Sequence, residues 1–304
     1  MTQSSLAAMN RAAAAKTAPL RPEQVEHYNR DGYVVPDFRL SEEETGRLRA
    51  LLYRLVEENP RWASHTNSPH VPGSGTMGVK SFPGWMEFCE HPAILDMIEQ
   101  LIGPDIVLWG TSTFYKKASK GAATPWHRDT VNMMISPPAA TLVWIAATEA
   151  RIDNGCLRFI SGSNNSPTVG EHHEWKIDTA EGYESGIEID RKEYDANKAV
   201  DVELEPGQMV IFNAHTIHGS RPNQGTRDRA SFTLRYMPGT SKFGHDGVPE
   251  RERGYHAFHL RPLILVRGKD SAGNDFRRGH PGLDPNLEAE QRRVREAREQ
   301  VKKH

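Results

Sequence analysis

The chain has 304 residues, 37% of them hydrophobic and 26% charged, which excludes a wholly disordered or membrane-embedded protein and allows one large domain or two small ones. Lys and Arg number 38 against 40 Asp and Glu, a formal net charge of −2, so no global basic surface marks a nucleic-acid or anionic-lipid partner. No apolar run reaches the ~18 residues that a membrane span needs, and the two cysteines, Cys89 and Cys156, suggest no disulfide framework, so a reducing cytoplasm is the default setting. Residues 1–20 are rich in Ala and Ser, carry only Arg11 and Lys16 as charges, and read as a disordered tail rather than a transit peptide. Helical patterning begins at Arg21-Pro22-Glu23-Gln24. Ser41-Glu-Glu-Glu44 has the form of a capping box and opens a helix that presents Leu48, Leu51, Leu52 and Leu55 on one face. A third helix is expected from Pro92 through Ile94, Leu95, Ile98 and Leu101, ending at Gly103-Pro104.

From Asp105 the period changes to that of strands: Ile106–Trp109, Thr141–Ile145, Leu157–Ile160, Met209–Phe212 and Ala230–Leu234, punctuated by Gly, Pro, Asn and Asp. Asp153-Asn154-Gly155 is expected to form a tight hairpin turn, pairing a strand that ends near Ile152 with one that starts at Cys156. Helices followed by many short strands predict a mainly β fold, a sandwich or barrel buttressed by the N-terminal helices. The segment Leu287–His304 alternates acids with Arg and Lys and reads as an exposed surface helix. The expected division is a tail at 1–20, one domain at 21–280 and a charged C-terminal helix at 281–304.

The chemistry concentrates in Pro125-Trp126-His127-Arg128-Asp129. In an extended strand, residues two apart share a face, so His127 and Asp129 can chelate one divalent metal. The pair alone is a weak signal, because carboxylates partner His in many surface pairs. A second segment, Gly207 to Asn223, carries a strand into His218-Gly219-Ser220, and His218 would complete a two-His, one-carboxylate set. Three ligands on one octahedral face leave three open positions, the arrangement of non-haem Fe(II) oxygenases. Those positions accept a bidentate 2-oxo acid and then O2. The distal carboxylate of 2-oxoglutarate then needs a planar cationic partner, and Arg229, eleven residues after His218, heads the last strand. His215 competes for the ligand role, but it stands three before His218, leads into no Gly-Ser turn and lacks that spacing to Arg229.

This order of motifs resembles the phytanoyl-CoA dioxygenase-like family of Fe(II)/2-oxoglutarate oxygenases. Tyr28-x-x-Asp-Gly-Tyr-Val-Val35 is similar to the family's helix-to-strand entry. Asn154-Gly-Cys-Leu157 with Ile160-x-Gly-Ser163 resembles its far-side hairpin, and the likeness runs from about Gln24 to Tyr236. The resemblance implies a double-stranded β-helix (jelly-roll or cupin-like) barrel, iron ligands His127, Asp129 and His218, and O2 as the further co-substrate. It implies 2-oxoglutarate contacts from Arg229, Ser220, Trp144 and, more loosely, Thr113. Lys117 is a weaker candidate, equally suited to a solvated strand end.

Two departures, Ser161-Gly-Ser-Asn164 and Thr130-Val-Asn-Met-Met134, lie where substrate would sit, so substrate does not transfer with the metal site. Asp129 also disfavours halogenation, which needs that coordination position empty. His172, His173, His245, His256 and His259 are expected on the surface or in loops, Trp109 and Trp126 in the core or cavity wall, and Cys156 in the core. Met133 and Met134 suit either a pocket lining or packing. The reading is a hydroxylase of a small polar metabolite (an amino acid, amine, phosphonate-like compound or natural-product intermediate), with no nucleic-acid or membrane partner and the oligomeric state open. A zinc hydrolase on the same ligands and a non-catalytic β-barrel binding protein are the competing readings.

Overall fold

A computed structural model describes residues 19–60, 63–71, 79–166, 172–179, 182–248 and 257–301. Its helices are α1 (Pro22–Asp31), α2 (Glu42–Glu58), α3 (Met86–Cys89), α4 (Pro92–Ile102) and α5 (Leu287–Val301). Its strands are β1 (Tyr33–Val34), β2 (His65–Asn67), β3 (Ile106–Lys116), β4 (Thr124–His127), β5 (Ile135–Ser136), β6 (Thr141–Ala146), β7 (Leu157–Ile160), β8 (His172–Thr179), β9 (Gly182–Ile189), β10 (Ala199–Val202), β11 (Met209–Asn213), β12 (His218–Ser220), β13 (Arg229–Pro238), β14 (Lys242–Phe243) and β15 (Ile264–Arg267). The larger sheet runs β1-β11-β6-β13-β3-β15, with β2 also on β3; the smaller runs β10-β7-β12-β4. Every pairing in both is antiparallel. The two sheets pack face to face in the jelly-roll manner, and α1, α2 and α4 cover the outer face of the larger one.

The two faces of the larger sheet follow the period of two. Ala230, Phe232, Leu234 and Tyr236 of β13, with Val143 and Ile145 of β6, join one apolar core with Leu48, Leu52 and Leu55 of α2 and Ile94 and Ile98 of α4. Trp85 meets Phe232 at 5.0 Å between ring centroids, and the Tyr236 hydroxyl donates to the Cys89 carbonyl at 2.9 Å. Leu142, Trp144, Val210 and Phe212 point the other way and meet Leu157 and Phe159 of the smaller sheet in a second core. Helix α2 starts as its capping box requires: the Glu44 N–H donates to Ser41 Oγ at 3.2 Å and the Ser41 N–H to Glu44 Oε2 at 2.8 Å.

Four expectations change. The turn at 153–155 carries the chain from β6 in one sheet to β7 in the other, and Ile152 is exposed, so it is a crossover rather than a hairpin. Gly155 still takes φ +83° there. His245 and His259 are buried; His245 Nε2 donates to the Arg261 carbonyl at 2.7 Å, a tertiary bond invisible to local pattern. Helix α5 is not wholly exposed, because Leu287, Gln291 and Val294 bury one face, the two aliphatic side chains against Ala257 and Leu260. Leu20, counted in the tail, is buried, and its carbonyl accepts from Gln100 Nε2 at 3.0 Å. Residues 1–18 of the expected tail and His256 lie outside the described residues, while His172 and His173 fall on β8.

Candidate metal centre

His127 ends β4 and His218 opens β12, and the antiparallel register sets the two residues directly opposite each other. Their rings stand 4.3 Å apart between centroids. Asp129 opens a 3-10 turn over Asp129–Asn132, which carries its carboxylate back beside the imidazoles, with His127 Nε2 3.5 Å from Asp129 Oδ1. One ligand atom from each of the three lies within 4.8 Å of the others.

The imidazoles are oriented from behind. His127 Nδ1 meets the Pro125 carbonyl at 2.8 Å and His218 Nδ1 the Thr216 carbonyl at 3.0 Å. A carbonyl only accepts, so each Nδ1 carries a proton and donates it there, which leaves each Nε2 as the nitrogen that could take a metal. Phe212 and Phe159 pack around His218 at 4.8 and 6.0 Å between centroids. Thr216 is itself fixed, its hydroxyl donating to the Gly32 carbonyl at 2.8 Å where α1 ends.

Burial, and then the charge of His127, push His218 down to about 4. Burial also opposes the His127 cation, but the adjoining Asp129 carboxylate outweighs it and the net shift is upward. Asp129 is held below its ordinary range: burial would raise it, yet His127, His218 and Arg235 together favour the carboxylate. Two imidazoles and one carboxylate, preoriented and largely enclosed, are a donor set that fits a divalent cation, which would displace the His127 proton on binding.

The cavity around the triad is lined by Phe114, Leu142, Trp144, Ser220, Arg229, Thr233 and Arg235 among others. Ser220 is buried at the end of β12, two residues past His218. Arg229 is 2% exposed, and its guanidinium carbon lies 5.2 Å from the Trp144 ring centroid. Its Nε has no hydrogen-bond partner among the described residues, and burial draws the guanidinium down to about 10. A buried cation without a counter-charge is costly, and a carboxylate would satisfy it.

Thr113 is not brought to the cavity. It opposes Phe232 in the sheet, so it shares Phe232's helix-facing side, whereas Ser112 and Phe114 face inward. Lys117 is exposed. His215 turns elsewhere, its Nε2 3.0 Å from the Pro138 carbonyl. Trp109, Cys156 and Met133 are buried in the inter-sheet core, with Met134 packed against it, and Trp126 packs beside Tyr194.

Two arginines escape the sequence motifs. Arg128, between the two ligands of the His-x-Asp pair, is buried; its Nη1 donates to the Ser163 carbonyl at 2.8 Å and to the His215 carbonyl, tying the loop before His218 to β4. Arg235 lines the cavity and donates through Nη1 to Ser112 Oγ at 2.7 Å. Its inward direction was legible in principle, since 229, 231, 233 and 235 alternate along one strand.

A family model described as phytanoyl-CoA dioxygenase matches residues 28–231. The chain belongs to the phytanoyl-CoA dioxygenase family. It is 27% identical over 161 residues to a phytanoyl-CoA dioxygenase domain-containing protein 1 homolog of Dictyostelium discoideum, covering 52% of this chain and 56% of that protein. The chain thus spans about half the length of the first curated relatives it matches, between 43% and 56%. An L-proline trans-4-hydroxylase of Streptomyces griseoviridis is 24% identical over 254 residues, covering 77% of this chain and 92% of the other. Among solved structures, the non-heme monooxygenase ThoJ superposes with a TM-score of 0.63 at 25% identity, over 91% of this chain and 99% of that one.

Proposed function

We propose that the chain is a hydroxylase that uses Fe(II), 2-oxoglutarate and O2 to oxidise an unactivated C–H bond of a small polar metabolite. The carrying observation is that the His127–Asp129–His218 triad and the unpartnered, buried Arg229 share one cavity. Bound iron would supply the oxidising chemistry, with succinate and CO2 released from the co-substrate. The chain's own residues do the rest. His127, Asp129 and His218 hold the metal through three positions on one side. Arg229 receives the far carboxylate of 2-oxoglutarate in its planar fork, Ser220 adds a hydroxyl, and Trp144 stacks beside the guanidinium and keeps water out.

The named relative that hydroxylates L-proline supports a small, charged metabolite as substrate. Against a zinc hydrolase stands the lining itself: Asp129 is its one acid among the described residues, which leaves no second carboxylate as general base, and Arg229 would have no task.

The test is anaerobic reconstitution with Fe(II), followed by 2-oxoglutarate, a panel of small polar acids and amines, and labelled O2. One labelled oxygen is expected in succinate and one in the product, and His218→Ala, but not His215→Ala, should abolish iron binding. Product formed with solvent oxygen only and without succinate would favour the hydrolase.

A further inference from the structure

The inward face of β13 carries an arginine at each end of the cavity. Arg229 and Arg235 are six residues apart, roughly 20 Å of extended strand. A five-carbon diacid bridging Arg229 and the metal is much shorter than that, so Arg235 has another task. It is also the arginine whose charge acts on all three ligands of the triad.

Around Arg235 the lining is polar, buried and unsatisfied. Ser112 Oγ, which accepts from Arg235, donates in turn to Asn67 Oδ1 at 2.9 Å. The guanidinium carbons of Arg235 and Arg261 lie 5.9 and 5.3 Å from the Trp109 ring centroid. His65 stacks on Phe114, centroids 4.5 Å apart, and Phe114 lines the metal cavity. His65 Nε2 and Trp109 Nε1 are buried with no hydrogen-bond partner among the described residues. Burial first, then the nearby arginine charges, draw His65 down to about 3, so its imidazole stays neutral there.

The charge of the loaded site points the same way. Asp129 is the acid whose charge acts on Arg235, and a bound divalent cation claims that carboxylate. 2-Oxoglutarate brings two negative charges, one at the metal and one at Arg229. Of the two arginines that line the cavity, Arg235 is then the cation left over, beside the unpaired Trp109 N–H, in a site where unpaired charge is costly.

We propose that Arg235, with Trp109 and His65 beside it, holds a carboxylate of the primary substrate, which makes the substrate class small carboxylic acids. This rests on the dioxygenase reading and narrows it. The planar guanidinium favours a carboxylate, and Trp109 Nε1–H is a donor only, so both select an acceptor. With its carboxylate anchored at Arg235, the substrate extends its aliphatic part toward the triad.

The experiment loads the protein with Mn(II) and saturating 2-oxoglutarate, so that Arg229 is occupied, then titrates three probe acids by calorimetry: pentanoate, 2-aminopentanoate and 2-hydroxypentanoate. Each is paired with its primary amide, and butylphosphonate is included. At least one acid should bind about tenfold or more tighter than its amide, the scale of a hydrogen bond to a charged group. In Arg235→Gln that preference should shrink to within about threefold while Mn(II) and 2-oxoglutarate still bind, and Arg235→Lys should recover part of it.

No acid outbinding its amide, or a preference that survives Arg235→Gln, overturns the proposal alone. So does loss of Mn(II) or 2-oxoglutarate binding in Arg235→Gln, which would assign Arg235 to the metal centre. Butylphosphonate binding more tightly than pentanoate overturns the carboxylate assignment. Failure of the unaltered protein to bind Mn(II) and 2-oxoglutarate overturns the dioxygenase reading and this proposal with it.

Discussion

Arg229 and Lys116 are directly opposed in the sheet, both buried, and differ in one respect that decides their roles. The Lys116 ammonium donates to the carbonyls of Ala122 and Arg221 at 2.6 and 2.7 Å, whereas Arg229 Nε finds no partner among the described residues. Lys116 therefore holds loops together, whereas Arg229 is left free to take the co-substrate carboxylate that the proposed function assigns to it. Arg229→Lys keeps the charge and loses the two-pronged geometry, so the KM for 2-oxoglutarate should rise by about tenfold or more while iron affinity stays within about twofold. A titration of each, read separately, checks this. At the residue scale the sequence exposes what local spacing encodes. His127, Asp129 and the Gly-Ser turn after His218 are short-range patterns. Arg128 is not, because its carbonyl partners, Ser163 and His215, come from elsewhere in the chain. Thr113 fails by parity: one step along a strand reverses the face, and the resemblance did not fix which of Ser112, Thr113 and Phe114 points inward.

Strand β13 shows how an element can be found and its sides exchanged. Its alternation of Arg229, Ser231, Thr233 and Arg235 with Ala230, Phe232, Leu234 and Tyr236 looks like a surface strand with one wet face. In the fold the apolar set faces the helices and the polar set faces the metal cavity, because both sides of this sheet are covered. Periodicity locates the strand; only the second layer decides that its polar face is a site. The same holds for the turn at 153–155, where Asn-Gly chemistry marks the reversal but not the sheet that receives the chain. The pairing of β12 with β4 depends on Gly219, where a Cβ would come 2.8 Å from the Thr124 carbonyl and 3.1 Å from the Pro125 carbonyl. Gly219→Ala must push the strands apart at the step between His218 and Ser220. It should therefore weaken Mn(II) binding by more than tenfold, on the order of 1.4 kcal/mol or more. Its cost to the melting temperature should stay near that of an ordinary strand substitution. Calorimetric titration beside a thermal melt separates the two, and an unchanged metal affinity would remove Gly219 from the positioning of the ligands.

At the scale of the whole molecule the work is divided between layers. Helices α2 and α4 stiffen the larger sheet from outside, that sheet supplies Arg229 and Arg235, and the smaller sheet with its adjoining turn supplies the His127–Asp129–His218 triad. On the proposed function a bound metal would cross-link segments far apart in the chain, His127 and Asp129 to His218, and the unfolded chain offers no such preformed site. Ligands that bind the folded state alone stabilise it by mass action, about 2.7 kcal/mol at a hundredfold excess over Kd. Mn(II) should raise the melting temperature by several degrees, and a chelator should reverse the shift. Adding 2-oxoglutarate should raise it again only when metal is present, because the keto acid engages the metal and Arg229 together. Arg229→Lys should keep the first increment and lose most of the second, and His218→Ala should lose both. If 2-oxoglutarate gives its full increment without metal, the co-substrate binds away from the triad, and the shared cavity is not the place where the two meet.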